Sequence, residues 1–428
     1  MECDLKMQPE YRILLKLQLV TYCCSLEMSY TLVSQQAIRK VVSSLLVTMY
    51  QIVRDTTNQY FKKKHQNFFP DNFVFRLHYK YTFCFLMISS MMLSCYEYID
   101  TDGSAIQCVV DQTARVPQEM VNTFCWFSST YTLPRYWEGR PGEDIIHYGV
   151  GPYLEDYDKV YHAYYQWVPL MFAMQAVMFY LPHFIWKIKE GGRTELIIGD
   201  LDDELSDQKE HRIADIAEYM KQRMRHPHEH QVWSANFIFC EFLNLLNVIF
   251  QIVLTNRFLG GTFYTYGLEV FTWSSLDPED RVDPMSKVFP RLTKCDFHKF
   301  GPSGTIQNID ALCILSMNIL NEKIFIFIWF WFLILGGVTT LNLLVRLFQL
   351  MVPSIRRKLI LRTRMLRCNE TERFLSELGI SDWMILYHLS HSMHKGYFSE
   401  LIDRMVDDDV CEVFSDENDI NDDPRPFP

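Results

Sequence analysis

The feature that most constrains the fold is a run of twenty-two residues without a charge, from Ile324 to Val345. As an α-helix this run would be about 33 Å long, enough to cross the hydrocarbon of a bilayer. Glu322 and Lys323 precede it and Arg346 follows it, and such charges limit where a spanning helix can end. The chain is therefore predicted to be a membrane protein.

Further apolar segments predict that this run is one of several spans. Four segments pass the length test for a transmembrane helix: Tyr81–Ile99, Tyr164–Trp186, Trp233–Thr255 and Ile324–Val345. The second contains Pro169 and Pro182, which a membrane helix tolerates when its neighbours satisfy the freed backbone groups. The predicted fold class is mainly α, a channel-like subunit with four transmembrane helices.

Basic residues predict the orientation of these spans. Residues 187–232 hold eight Lys or Arg in forty-six positions, whereas residues 100–160 hold four in sixty-one. Because cytoplasmic loops carry the excess of positive charge, the first of these segments is assigned to the cytosol. The prediction is a cytosolic N-terminal segment at 1–80, extracellular loops at 100–163 and 256–323, a cytoplasmic loop at 187–232, and a cytosolic helical C-terminal domain with an acidic tail at 346–428.

Composition and motifs exclude several functions. The chain is 49% hydrophobic and 15% aromatic, and its formal charge of −11 comes largely from acidic segments, which argues against nucleic acid as a partner. It has no GxxxxGK[ST] phosphate loop, no HExxH pair and no GxSxG elbow. We expect no catalytic residues, no metal site and no cofactor.

Four of the twelve cysteines fall in the predicted extracellular loops. Cys108 and Cys125 lie in the first loop, and Cys295 and Cys313 lie in the second. Disulfides persist in that compartment, and four cysteines allow three pairings between which spacing cannot choose. Such disulfides either only stabilise flexible loops or fix the loops in a conformation that the function requires.

Short motifs along the chain resemble one family. The six residues at the start of the second span read YYQWVP: Tyr164, Tyr165, Gln166, Trp167, Val168 and Pro169. FLGG at Phe258–Gly261, YG at Tyr266 and Gly267, CDF at Cys295–Phe297, and NEKIF at Asn321–Phe325 agree with them. This pattern resembles the innexins, the gap-junction channel proteins of invertebrates, over roughly residues 71–404.

The resemblance implies a function and a set of partners. Innexin subunits, alike or mixed, form a ring, here expected to contain eight, around an aqueous pore in the plasma membrane. The ring docks with one in the adjacent cell, so that ions and small molecules pass between them. Implied disulfides join Cys108 to Cys313 and Cys125 to Cys295. The alternatives are an undocked hemichannel that releases ions or small metabolites, and a non-conducting adhesion scaffold.

Two departures from the family pattern leave questions open. Family members usually have Pro-Ile before the first loop cysteine and Trp after it, but here Cys108 follows Ala105, Ile106 and Gln107 and precedes Val109. About eighty residues precede the first span. They are either a real extension or a consequence of translation starting at Met49. The uncharged segment 41–53 is predicted to be interfacial or partly buried, because it is too short to span.

Polar residues inside the third span form one predicted helical face: Glu241, Asn244, Asn247 and Gln251. Such residues at membrane depth normally face water or a polar partner. Two interpretations stay open, lining of the pore or a subunit contact on one side, and interhelical hydrogen bonding on the other.

Four smaller predictions complete the analysis. Tyr164, Tyr165 and Trp167 are interpreted as interfacial anchors, and Pro169 as either a fixed kink or a hinge. The histidines of the HPHEH segment, His226, His228 and His230, are predicted to lie in a solvated loop. Gly336 and Gly337 are predicted to allow close helix packing.

Overall fold

The computed structural model describes residues 72–99, 106–111, 116–139, 142–152, 158–194, 206–224, 228–273, 283–363 and 369–406. Met49, the segment 41–53 and the acidic tail lie outside the described residues. The helices and strands in chain order are α1 Phe73–Arg76, α2 Phe83–Ile99, β1 Gln107–Val109, α3 Gln118–Ser128, β2 Thr130–Thr132, β3 Val160–His162, α4 Val168–Glu190, α5 Ser206–Met224, α6 His228–Phe258, α7 Phe263–Trp273, α8 Pro284–Val288, β4 Leu292–Phe300, β5 Ile306–Ile314, α9 Met317–Met351, α10 Pro353–Thr363, α11 Asn369–Glu377, α12 Ile380–Ser392 and α13 Lys395–Val406.

Among the described residues, three helices are long and apolar enough to cross a membrane: Tyr164–Glu190, which is α4 with a preceding 3-10 turn, α6 and α9. They contain the second, third and fourth predicted spans and extend beyond them at one or both ends. At the first predicted span, α2 has 17 residues and is not among the three. A π-helical turn, Leu77–Thr82, joins it to α1.

Local sequence explains where two of the long helices end. After Phe258, Gly260 and Gly261 adopt φ angles of +67° and +94°, which glycine populates without a steric penalty and which end α6. After Met351, Pro353 begins α10. Proline has no backbone N–H and is tolerated in the first turn of a helix, so α9 stops and a new helix starts.

The described residues of the chain divide into two compact units, and the first holds the strands. This unit comprises Met87–Phe172 and Glu269–Ile324. Its five strands form one antiparallel sheet in the order β1-β5-β4-β2-β3. β4 and β5 pair over their whole length, from Leu292 opposite Ile314 to Phe300 opposite Ile306. The sheet was not predicted from the sequence.

Helix α3 packs against this sheet and completes a small core. Val121 and Cys125 of α3 are fully buried against Cys313 of β5 and Phe297 of β4. The core also holds Leu315. The two segments predicted to be extracellular loops therefore fold together into a unit with its own apolar interior.

The second unit comprises Gln66–Leu86, Ala173–Leu268 and Phe325–Pro428, in the parts that the structure describes. Its core brings aromatic residues of α4 and α6 together with those of the C-terminal helices. Trp186, Phe237, Trp383 and Phe398 are almost completely buried there. The ring of Trp186 meets that of Phe237 edge to face at 4.9 Å, an arrangement favoured by the quadrupoles of the rings.

Candidate functional site

Two disulfides hold the β-sheet unit together. Cys108 on β1 is bonded to Cys313 on β5, and Cys125 on α3 is bonded to Cys295 on β4. These are the pairs that the family resemblance implies, out of the three pairings that the spacing allows. Each bond joins the first predicted extracellular loop to the second, across 205 and 170 residues.

The two disulfides lie side by side in the core of the unit. The sulfur atoms of Cys108, Cys125 and Cys313 are all within 4.8 Å of one another and are buried. Because all three sulfurs are in disulfides, this cluster is not a metal site. It is the only group of potential ligands at such spacing among the described residues.

Hydrogen bonds from α3 fix the strand that carries the first cysteine. The backbone N–H of Cys108 donates to Asn122 Oδ1 at 2.8 Å, and Gln118 Nε2 donates to the Cys108 carbonyl at 3.2 Å. A three-residue strand has few ladder bonds of its own, so these side chains supply the missing partners. The first loop is therefore held by polar contacts as well as by sulfur.

The YYQWVP residues bind the start of α4 to the disulfide-bonded core. Tyr164 donates to the Val288 carbonyl at 3.2 Å. Tyr165 donates to the Cys125 carbonyl at 3.3 Å, and Gln166 donates to the Trp126 carbonyl. The signature thus joins the start of α4 to α3 and α8 within one unit.

The structure contradicts the interfacial anchor interpretation for Tyr165, whose side chain is 2% exposed inside the core. Of the signature aromatics, Trp167 alone is largely exposed, at 53%. Sequence reasoning missed this division because neighbouring aromatics of one motif point in different directions on a 3-10 turn. Val168 is completely buried.

Pro169 is the second residue of α4 and follows the 3-10 turn Tyr164–Trp167, so it lies at the junction between the two helical segments. Its carbonyl accepts a hydrogen bond from Ser90 Oγ at 2.7 Å. This contact holds α4 against α2 within the unit.

Glu241 of α6 is held by a buried ion pair. Arg346 of α9 donates from Nε to Oε2 and from Nη2 to Oε1, both at 3.0 Å. The carboxylate also accepts from Asn342 Nδ2 at 3.1 Å and from Asn72 Nδ2 at 2.7 Å. Glu241 is 2% exposed and Arg346 is 4% exposed, so both charges depend on these partners.

The other polar residues of this face are also directed into the subunit. Gln251 donates to Asn247 Oδ1 at 3.1 Å along the same helix. One turn later Thr255 receives a hydrogen bond from Gln175 Nε2 of α4 at 2.9 Å. Asn244 is 2% exposed. Interhelical hydrogen bonding is therefore seen for Glu241, whereas Asn247 and Gln251 bond to each other within α6.

The solvated-loop prediction for the histidines is wrong for His230. This residue lies in the first turn of α6, is 7% exposed, and places Nδ1 2.5 Å from Asp382 Oδ1 of α12. Glu229 beside it pairs with Arg223 at 2.5 Å. The prediction failed for this residue because α6 already begins at His228. His226 and Pro227 lie outside the described residues.

Gly336 and Gly337 do not provide the predicted close packing within the subunit. A Cβ atom at Gly336 would lie 3.5 Å from Val248, an ordinary contact, and one at Gly337 would meet nothing within 4 Å. The close approach occurs instead at Gly267 of α7, where a Cβ would overlap the indole of Trp329.

Sequence reasoning also missed a polar cluster on the sheet. Asp296 of β4 accepts from Tyr131 and from Lys159, each at 2.8 Å. Burial opposes the charged form, but these hydrogen bonds and the charges of Lys159 and Lys294 hold the pKa of Asp296 below its usual value. The pairing of strands from distant segments creates this cluster, so no local signal marks it.

Comparisons with known proteins agree with this architecture. A family model described as "Innexin" matches residues 71–408. Innexin inx2 of Schistocerca americana is 39% identical over 336 residues, which cover 78% of this chain and 91% of that protein. Innexin inx2 and innexin shaking-B of Drosophila melanogaster are 39% and 38% identical, with 89% and 88% of each covered. The chain belongs to the innexin family.

Proposed function

We propose that this chain is the structural subunit of an innexin-type gap junction. Several copies, alone or with other innexin-type subunits, form a ring of eight around a water-filled pore in the plasma membrane. The ring docks with a ring in the adjacent cell, and ions and small molecules pass through both. Its role is conduction and not catalysis.

The observation that carries this proposal is the match to the innexin family over residues 71–408, together with the paired cysteines. Both disulfides connect the two segments that the topology places outside the cell. A docking surface must keep its shape while it meets a partner, and pre-ordered loops lose less conformational entropy on binding. The disulfide-bonded sheet suits that requirement.

The proposed topology has four spans, at 81–99, 164–186, 233–255 and 324–345, with both termini in the cytosol. The excess of basic residues in 187–232 supports it. Disulfides at Cys108, Cys125, Cys295 and Cys313 also support it, because such bonds persist outside the cytosol. For the first span, the helical path from Phe73 through the π-turn to Ile99 supplies the length that α2 alone lacks.

Junctional conductance between paired cells tests the proposal. Both cells express this chain and no other junction protein, and the variants Cys108→Ser and Cys295→Ser are measured beside it. We expect conductance with the wild-type chain and its loss in both variants. Cys95→Ser is the matched control, since Cys95 has a free thiol and should retain full conductance.

One observation favours the undocked hemichannel as a second candidate. The position after Cys108, which usually holds Trp in the family, is here Val109, and its side chain is 61% exposed. A large anchor is thus replaced by a small exposed residue on the docking unit. Surface expression with current across a single membrane, but none between cells, would select this candidate. Surface expression without either current would leave the adhesion scaffold.

A further inference from the structure

Helix α10 follows directly on the longest of the candidate membrane helices. α9 ends at Met351 and α10 begins at Pro353, so a single residue separates the two helices, and seven residues separate α10 from the end of the proposed span at Val345. In the proposed topology the helix lies on the cytosolic side, where the inner leaflet carries anionic lipids. Its 11 residues include four basic ones: Arg356, Arg357, Lys358 and Arg362.

The two sides of α10 differ sharply. Ile360 is completely buried in the core of its unit, and the carbonyl of Arg356 accepts a hydrogen bond from the indole of Trp383 at 2.9 Å. On the opposite side, Ile355, Lys358 and Arg362 are exposed. Spacings of three and four residues place these three on one helical face, which we name the basic face.

No described carboxylate neutralises the charges of the basic face. Within the part of the chain that the structure describes, no carboxylate pairs with Lys358 or Arg362. Other arginines of the same unit are paired: Arg346 with Glu241 at 3.0 Å, and Arg404 with Glu210 at 2.8 Å. Among the described residues, the basic face therefore keeps both positive charges without an acidic partner.

We propose that the basic face lies against the cytosolic leaflet and binds the headgroups of anionic phospholipids, with phosphatidylserine as the representative ligand. The inference rests on the proposed topology but not on conduction. Two features favour lipid over a protein partner. The face lies just beyond the cytosolic end of a proposed membrane span, and it combines an exposed apolar residue, Ile355, with two cations, as interfacial helices do.

The test is a titration of a fluorescent short-chain phosphatidylserine with the purified full-length chain in detergent, followed by fluorescence anisotropy. A phosphatidylcholine probe of the same chain length serves as the reference. Lys358→Gln with Arg362→Gln removes both charges of the basic face. The matched control is Arg373→Gln with Lys395→Gln, which removes two exposed charges from α11 and α13 of the same unit.

We expect the basic-face variant to bind phosphatidylserine about fivefold more weakly for each charge removed, with phosphatidylcholine binding unchanged. The control variant should bind like the wild type, and Lys358→Arg with Arg362→Lys should retain affinity. Equal affinity of wild type and basic-face variant would overturn the proposal. An equal loss of phosphatidylserine affinity in the basic-face variant and the control variant would also overturn it. General attraction between the lipid and a positively charged protein would then explain the binding. A change of subunit number without a change of lipid affinity would identify the face as a subunit contact.

Discussion

At the scale of single residues, Gly267 shows how closely two helices approach. It belongs to α7 and lies against Trp329 of α9, whose indole Nε1 donates to the Tyr264 carbonyl at 3.3 Å. Trp329 is 7% exposed. With the ring fixed by this hydrogen bond and by packing, there is no room for a methyl group at position 267.

We expect Gly267→Ala to lower the free energy of unfolding by about 1–2 kcal/mol, because overpacking outweighs the gain in helix propensity. Gly337→Ala is the matched control, since its Cβ would meet nothing within 4 Å. It should be neutral or slightly stabilising, by up to about 1 kcal/mol. Thermal unfolding midpoints of the purified proteins check both. Equal midpoints for the two variants would contradict the packing argument.

At the scale of helices and strands, the ion pair between Glu241 and Arg346 connects α6 to α9. Asn72, at the start of the described chain, binds the same carboxylate. A bidentate guanidinium contact adds geometric specificity to the attraction. The pair therefore fixes which turn of α6 faces which turn of α9.

Removal of one charge of the Glu241–Arg346 pair should lower the free energy of unfolding far more than removal of both. We expect Arg346→Gln to destabilise the chain by about 3–5 kcal/mol, because Glu241 is left buried and uncompensated. Adding Glu241→Gln to that variant should recover much of the loss. Chemical unfolding of the single and double variants measures this coupling. Arg373→Gln, which breaks an exposed pair at 3.9 Å, should change stability by less than about 1 kcal/mol. If the losses of stability in the two single variants add up in the double variant, Glu241 and Arg346 do not interact directly.

Hydropathy predicted the long helices because each contains a mostly apolar segment that is long enough to span a membrane. It could not predict the β-sheet, since β1 pairs with β5 across some two hundred residues and three of its strands have only three residues. Arg346 was interpreted only as the end of a span. Its role as the partner of Glu241 depends on the packing of two helices, which sequence spacing does not reveal.

At the scale of the whole molecule, the sheet unit should lose stability in acid. In the sheet unit, His162 is 8% exposed, and its Nε2 lies 2.8 Å from Thr132 Oγ1. The ring of Tyr164 packs edge-on against it. Burial lowers the pKa of His162 to about 4, so the folded unit holds this side chain neutral at pH 5, where an unfolded histidine would be protonated.

The unfolded chain therefore binds more protons than the folded unit between about pH 6.5 and pH 4, and stability falls as the pH falls through this window. The slope should approach 1.4 kcal/mol per pH unit. We expect amide exchange, corrected for its intrinsic pH dependence, to increase in β2 and β3 between pH 7 and pH 5. His162→Gln should remove that increase. If the variant behaves like the wild type, another group controls the acid response.

The two disulfides also set an order of events during biosynthesis. Each joins a cysteine before residue 126 to one at position 295 or 313, so neither can close until that late segment has been synthesised and translocated. In the proposed topology two membrane spans must be inserted in between. A truncated or misinserted chain would keep Cys108 and Cys125 as reactive thiols, which mixed-disulfide exchange can capture. In that topology, oxidation of the loops thus reports that the second and third spans have been inserted.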